Sequence, residues 1–387
     1  MALAKIDPIY CDYNATAPLR PQSKDAMVMA MEIGANPSSV HRLGRSARSC
    51  LEEAREIVAS AIGACREDLT FTSGGTEANA AILNGVRLQE PLLMPIVCGF
   101  EHDAVLAQLP DAISAQVTSD GQIDLVWLED LLKNWPHEGR SPFLSLMLAN
   151  NETGVIQPVE AAANLIHAAD GLIHCDAVQG LGKMPVSVLD GELDYVTLSG
   201  HKVGGPAGIG AFYIRAGAPF KATLLGGGQE MGLRSGTQNL IGAAGFGAAV
   251  DAALNEEAKL VTLASKRDNM EARLKSVANV TVFGENVPRL PNTSCVSVEG
   301  LRAETQVMAM DLEGVAVSSG SACSSGKVKQ SHVLASMGVP DELALGAIRF
   351  SFGWATIDED FERASDAWIR AAQRKGVISN TLNKENA

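Results

Sequence analysis

Leu172-Ile-His-Cys-Asp-Ala-Val-Gln179 and Tyr195-Val-Thr-Leu-Ser-Gly-His-Lys202 are the stretches that decide the fold. Each opens on a run too short for a helix and apolar enough for a buried strand, and each closes on side chains that carry chemistry. The pattern repeats outward from them. Leu69 to Thr72 runs into Gly74-Gly75-Thr76-Glu77, and Leu92 to Cys98, Phe143 to Leu148 and Ile209 to Ile214 read as further strands with helical stretches between several of them. Ala47, Leu51, Ala54, Val58 and Ala61 recur at helical spacing between Arg45 and Gly63, where a glycine stops the helix. This alternation predicts an α/β fold, a mostly parallel mixed sheet covered by helices.

Past Gly226-Gly-Gly228 the rhythm changes. An Ala-rich helical segment with a bend is expected over residues 237–276, followed by strands at Val280 to Phe283, Ser294 to Val298, Val315 to Ser318 and Ile348 to Phe352, and helices around Glu304 to Leu312 and Asp358 to Ala372. At 387 residues the chain exceeds the size at which one core stops growing. The expected division is a large α/β domain over 15–255 and a smaller α+β C-terminal domain formed by 1–14 and 256–387.

Composition excludes several classes. A net charge of −14 and no basic patch interleaved with aromatics exclude nucleic acid as the main partner. Runs such as Pro142-Phe-Leu-Ser-Leu-Met-Leu-Ala149 are too short to cross a bilayer, and the N-terminus lacks a signal peptide's apolar core, so no membrane association is expected. Seven scattered cysteines without CxxC or CxxxC pairs exclude a disulfide framework and a structural zinc site, and point to the reducing cytoplasm.

The candidate ligand groups follow strands, where ligands gather in open α/β sheets. Lys202 after one strand and Asp176 at the end of another are the minimal pair for pyridoxal 5'-phosphate: the amine condenses with the aldehyde, and the carboxylate pairs with the pyridinium nitrogen. Burial beside a cationic ring would lower the lysine pKa and free the amine as nucleophile and base. Gly75 and Thr76 open a helix whose backbone amides suit a phosphate, with Ser199 and His201 as further donors. His102 is placed to stack on a flat cofactor and exchange protons. An amide in Asn150-Asn151 could hydrogen-bond the cofactor's phenolic oxygen, and Thr237, in Arg234-Ser-Gly-Thr237, could reach a phosphate. A metal pair from His174 and Asp176 lacks a third ligand. Arg349, in Ile348-Arg-Phe350, faces away from its apolar neighbours and suits either an internal acid or a substrate carboxylate.

Cys323 differs from the other cysteines. Cys98, Cys175 and Cys295 fall in apolar strands and Cys50 in a helix, as small inert hydrophobes, whereas Cys323 sits among Ser, Gly and Ala in Ser318 to Gly326, the composition of an exposed loop. Exposed thiols oxidise, so a chain that keeps one there uses it. Together with the cofactor pair, it points to removal of sulfur from an amino acid.

In these motifs the chain resembles the cysteine desulfurases of the class V aminotransferase family, fold-type I pyridoxal phosphate enzymes. The resemblance runs from Asp12-Tyr-Asn-Ala-Thr-Ala-Pro18 and Asn36-Pro-Ser-Ser-Val-His41 through Thr72-Ser-Gly-Gly-Thr-Glu77, Asn150-Asn-Glu152, Ser199-Gly-His-Lys202, Arg234-Ser-Gly-Thr237 and Ser318-Ser-Gly-Ser-Ala-Cys323 to Ile348-Arg-Phe-Ser351. It implies a cytoplasmic homodimer in which Lys202, Cys323 and His102 are catalytic and His102 stacks on the ring. Asp176, Gln179 and Asn151 would hold the ring's polar edge. Gly75, Thr76, Ser199 and His201 would bind the phosphate, with Thr237 arriving from the partner subunit. Arg349 with Asn14 and Asn36 would meet the substrate carboxylate.

The implied reaction converts L-cysteine to alanine and leaves a persulfide on Cys323 for a sulfur acceptor protein such as an iron–sulfur scaffold, or for thiolation. No stable metal is expected, although Cys323 could transiently ligate an iron–sulfur cluster. The rival readings are selenocysteine lyase or cysteine sulfinate desulfinase, and a non-catalytic sulfur-relay subunit. Two departures from the family pattern are Met231, where arginine is usual, and a C-terminus short beside relatives that dock a scaffold with a longer tail.

Overall fold

The computed structural model describes residues 8–320 and 330–378. At its centre lies a seven-stranded sheet in the order Leu69–Thr72, Gly210–Ile214, Tyr195–Ser199, Leu172–Asp176, Ser141–Ser145, Leu93–Cys98, Ile113–Ala115. The five strands from Tyr195–Ser199 to Ile113–Ala115 run parallel, while Gly210–Ile214 is antiparallel to both of its neighbours. The link over 200–209 holds only the 3₁₀ turn Gly200–Lys202, and a parallel crossover needs about a dozen residues, so the chain turns back.

Alternation along the strands explains burial on both faces. Phe143, Tyr195 and Phe212 pack on one side with Ile82, Leu83 and Val86 of the helix Gly75–Gln89, while Leu144, Val196 and Ala211 face a larger core built with the helices Arg42–Ser60 and Leu240–Leu254. The predicted helix from Arg45 begins earlier, at Arg42, because the His41 ring accepts the Gly44 N–H at 3.2 Å and caps it.

A second hydrophobic core gathers Ile9 and Cys11 with side chains from Leu263 to Ile378, centred on Trp368, Phe350 and Phe352. It covers a four-stranded antiparallel sheet, Ser318–Ser319, Ile348–Ser351, Thr293–Ser297, Thr281–Val282. The predicted strand Val315 to Ser318 divides: Val315–Ala316 pairs in parallel with Ile9–Tyr10, and Ser318–Ser319 joins the other sheet. The predicted bend in 237–276 is a full break between Leu240–Leu254, buried in the first core, and Glu257–Val277, which packs on the second. We propose that the two cores mark the two domains, with the junction at that break.

The turn ahead of the helix Gly75–Gln89 packs on its neighbour strand so closely that a side chain at Gly210 would meet the Gly74 carbonyl carbon at 2.6 Å. The exposed edge of Leu69–Thr72 is closed by an ion pair. Arg55 donates to Leu69 O at 2.9 Å and to Glu230 at 2.5 and 2.8 Å, and Glu230 accepts the Phe71 N–H at 2.8 Å. This anchoring holds Glu230 and Met231 in the left-handed region, at φ 49° and 56°. Met231, half exposed, takes no part in it; the pairing at this turn belongs to its neighbour.

Glu230→Ala would remove the buried carboxylate partner of Arg55, leaving it Leu69 O and the half-exposed Glu52, and would leave the Phe71 N–H without its acceptor. A loss of about 3–5 kcal/mol is expected, read as a lower urea midpoint.

Candidate active site

At the carboxyl ends of the parallel strands opens a cavity of about 640 Å³. Gly75, Thr76, His102, Asn151, Asp176, Gln179, Ser199, His201 and Lys202 line it from the large sheet's side. Asn14 and Arg349 line it from the side of the second core. Asn36 and Thr237 lie elsewhere on this chain, together in a surface depression with Met31 and Pro37. Cys323 lies outside the described residues; Gly320 and Gln330, which flank the segment 321–329, both line the cavity.

Lys202 sits in the 3₁₀ turn that follows its strand, and its Nζ donates to Asn14 O at 2.6 Å and Ala15 O at 2.9 Å. Burial first, then the charge of Arg349, lowers its pKa to about 8, against the pull of Asp176 and Asp12. Asp176 accepts from Asn79 Nδ2 at 2.7 Å and from the Val178 N–H at 3.0 Å. Burial nonetheless pushes its carboxyl up, so a cation at its open side would be welcome. His102 is exposed to the cavity, and its Nδ1 accepts the Ala104 N–H at 3.0 Å, so the neutral ring keeps its proton on Nε2. His201 is lowered to about 4 by burial and by Lys202 and Lys183, and its Nδ1 meets Thr16 Oγ1 at 3.1 Å.

These residues fit pyridoxal phosphate on the structure's own terms. Among the described residues the buried Ser199 Oγ has no partner, and the helix Gly75–Gln89 begins with no side-chain cap, which leaves its first amides for an anion. Asp176, Lys202 and His102 supply an acid for a ring nitrogen, an amine for an aldehyde and a flat ring to stack. His174 does not join them: it is fully buried, pairs with Ser145 Oγ at 2.8 Å and is pushed down to about 3 by burial, hence neutral.

Arg349 meets an internal acid and also lines the cavity. Its Nη2 donates to Asp12 Oδ1 at 2.6 Å and its Nη1 to Asn151 O at 2.7 Å, while among the described residues the buried Nε has no partner. Asn14 differs from the expectation of an amide offered to substrate. Its Nδ2 is spent on Thr293 Oγ1 and Asn151 O, and its Oδ1 on Lys183 and Asn292.

Three residues escaped the sequence reading. Asn79, one turn beyond Thr76 and nearly fully buried in an alanine-rich helix, holds Asp176 and accepts Thr197 Oγ1 at 2.6 Å; a polar residue on an apolar helical face was the available signal. Lys183 is buried four residues past Gln179. Glu152 lies in the cavity wall, accepts Ser331 Oγ at 2.5 Å, and is raised by burial to about 7.

Two measurements follow from these environments. Competitive acylation of the cofactor-free protein should label Lys202 with a midpoint near pH 8, well below that of surface lysines. Between the ordinary Glu value and about 7, the folded state keeps a proton on Glu152 that the unfolded state has lost. Stability therefore falls as pH rises through that window, and Glu152→Gln should flatten this part of the melting temperature–pH curve.

Comparison with known proteins agrees with this geometry. The family model described as Aminotransferase class-V matches residues 9–363. A cysteine desulfurase of Cereibacter sphaeroides is 41% identical over 91% of this chain and 92% of its own length. The cysteine desulfurase IscS of Dictyoglomus turgidum is 37% identical over 96% of each chain. Among solved structures, a NifS-like protein superposes with a TM-score of 0.86 at 32% identity, covering 95% of this chain and all of that one. The NifS-like protein of Rickettsia africae gives 0.85 at 31% identity, over 95% and 99%. By sequence and by fold, then, this chain belongs to the class V aminotransferase family of pyridoxal phosphate enzymes.

Proposed function

We propose that the chain is a cysteine desulfurase, taking L-cysteine to L-alanine and passing the sulfur to Cys323 as a persulfide. The observation that carries this reading is one cavity in which Lys202, Asp176 and His102 converge and from whose wall, at Gly320 and Gln330, the chain leaves for and returns from the segment bearing Cys323. Relatives named cysteine desulfurase along nearly the whole length support it.

Bound in the cavity, pyridoxal phosphate supplies an aldehyde for amine condensation and a ring that draws electrons from the substrate's α-carbon. Asp176 would hold the ring nitrogen, and Gly75, Thr76, Ser199 and His201 would hold the phosphate. Lys202, its pKa lowered to about 8, is neutral in roughly a tenth of molecules at pH 7, far more often than an ordinary lysine, and removes the α-proton. Arg349, which lines the cavity, would meet the substrate carboxylate. The Cys323 thiolate attacks the substrate sulfur: the S–S bond forms, the Cβ–S bond breaks, and its electron pair stays with carbon, which takes a proton on the way to alanine. His102 carries the substrate thiol's proton, for which it must give up the Ala104 N–H at Nδ1. The buried thiols are poor rivals, since burial pushes Cys98 and Cys175 well above the ordinary thiol value.

The working unit is a homodimer in the cytoplasm. Apolar side chains stand exposed along the helix Pro21–Ile33, at Val28, Met29 and Met31, and at Leu224, Leu225 and Met231. Met31 lines the depression that holds Asn36 and Thr237, so a second copy seated there would receive Thr237 at its phosphate site and Asn36 near its substrate. The persulfide passes to an acceptor protein, such as an iron–sulfur scaffold.

Borohydride reduction of the purified yellow protein should fix the pyridoxyl label on Lys202; a label on any other residue sinks the proposal. Cys323→Ser should keep the yellow absorbance and lose alanine release from cysteine by a factor of 100 or more, on the order expected for a missing nucleophile. Release at the parent rate would remove Cys323 from the chemistry.

A further inference from the structure

Resting on that cofactor reading, we infer that Lys183 is a positioning residue: it turns the oxygen of Gln179 away from the cavity, so that an amide N–H is what Gln179 presents to the bound ring. Lys183 is buried, 8% exposed, and its Nζ donates to two amide oxygens, Gln179 Oε1 at 2.6 Å and Asn14 Oδ1 at 3.1 Å. Among the described residues it forms no ion pair with a carboxylate within 4.0 Å. A cation-forming group buried this deeply without an acid is costly, and nothing in the packing of the turn requires a lysine's donors there.

The two amides explain its presence. The oxygen and nitrogen ends of a glutamine amide are nearly the same shape, and only hydrogen bonding decides which points where. Lysine has donors and no acceptor, so it fixes oxygen towards itself in both amides at once. Gln179 Nε2 then gives one N–H to Asn14 O at 3.0 Å, and the second remains for the cavity that Gln179 lines. Asn14 Nδ2 is likewise directed to Thr293 Oγ1 and Asn151 O. Lys183 itself does not line the main cavity. It lines a separate chamber of about 40 Å³ shared with Lys202, and so acts on the ring only through its neighbours.

The groups that bear on it are cationic or neutral. Burial, then Lys202 and Arg349, pushes Lys183 well below the ordinary lysine value, while the two amide oxygens it meets favour its ammonium form. An N–H aimed at the ring's phenolic oxygen stabilises that oxygen as an anion, whereas a carbonyl turned there favours its protonated form.

The test is the absorbance titration of protein loaded with pyridoxal phosphate. Lys183→Met keeps the stem and removes the donors; the acid–base midpoint of the bound chromophore should rise by about one pH unit, the size expected for one lost hydrogen bond to a charged group. Gln179→Leu should shift it in the same direction, and Lys183→Met added to Gln179→Leu should shift it no further. An unchanged midpoint in Lys183→Met, or additive shifts in the double variant, overturns the inference while the chromophore itself upholds the cofactor reading. A parent protein that forms no chromophore overturns both. Should Lys183→Met fail to fold, a neutron structure of the loaded parent, which sees the amide's deuterons, decides: Gln179 Nε2 towards the ring supports the inference, and Oε1 there overturns it.

Discussion

Asn14 is the junction on which the rest depends. Its backbone N–H donates to Ser351 Oγ, its carbonyl takes Lys202 and Gln179, and its side chain binds Lys183, Asn292, Thr293 and Asn151. Lys202 and Gln179 belong to the large sheet, whereas Ser351, Asn292 and Thr293 belong to the second sheet and its flank. A residue 1% exposed thus ties the two hydrophobic cores through polar contacts at their seam, where each unsatisfied group would cost about 1–3 kcal/mol. The reactive amine is held at the same seam, so the relative placement of the cores and the placement of Lys202 are one constraint.

The chemistry around that junction is a set of buried charges held against their preference. Lys202 and Lys183 are pushed down and Asp176, Glu152 and Glu101 pushed up, each first by burial. Among the described residues, Ser199 Oγ, Glu101 Oε2 and Arg349 Nε are buried without partners. A fold selected only for stability would fill such positions with apolar residues. Here the two kinds of cost coincide at the carboxyl ends of the strands, and Ser199 and Arg349 line the same cavity as Lys202 and Asp176.

The parts of the fold that depend on local pattern were legible. Short apolar runs ending in polar residues marked the strands of the large sheet, because each strand is buried on both faces and closes at the cavity. The short strand Ile113–Ala115 and the helix Leu125–Lys133 were not seen, since three residues give no periodicity and only one residue of that helix is fully buried. The break at Asn255 was read as a bend, because both flanking segments are good helix formers and only their membership of different cores separates them.

The sequence by itself determined which side chains converge: the order of strands and the chemistry at their ends named Lys202, Asp176, His102, Gly75, Thr76, Asn151, Gln179, Ser199 and His201, all of which line one cavity. That follows because side-chain direction at a strand end is set by its own backbone and by a sheet whose parallel strands all finish on one side. Only the tertiary structure decided how those groups are held. The Arg349–Asp12 pair, the seating of Asp176 on Asn79, the saturation of Asn14 and the burial of Lys183 join residues from 97 to 337 positions apart. Hydrogen bonds over such separations leave no periodic trace in the chain, and burial, which fixes the pKa of each group, exists only once the two cores have closed around them.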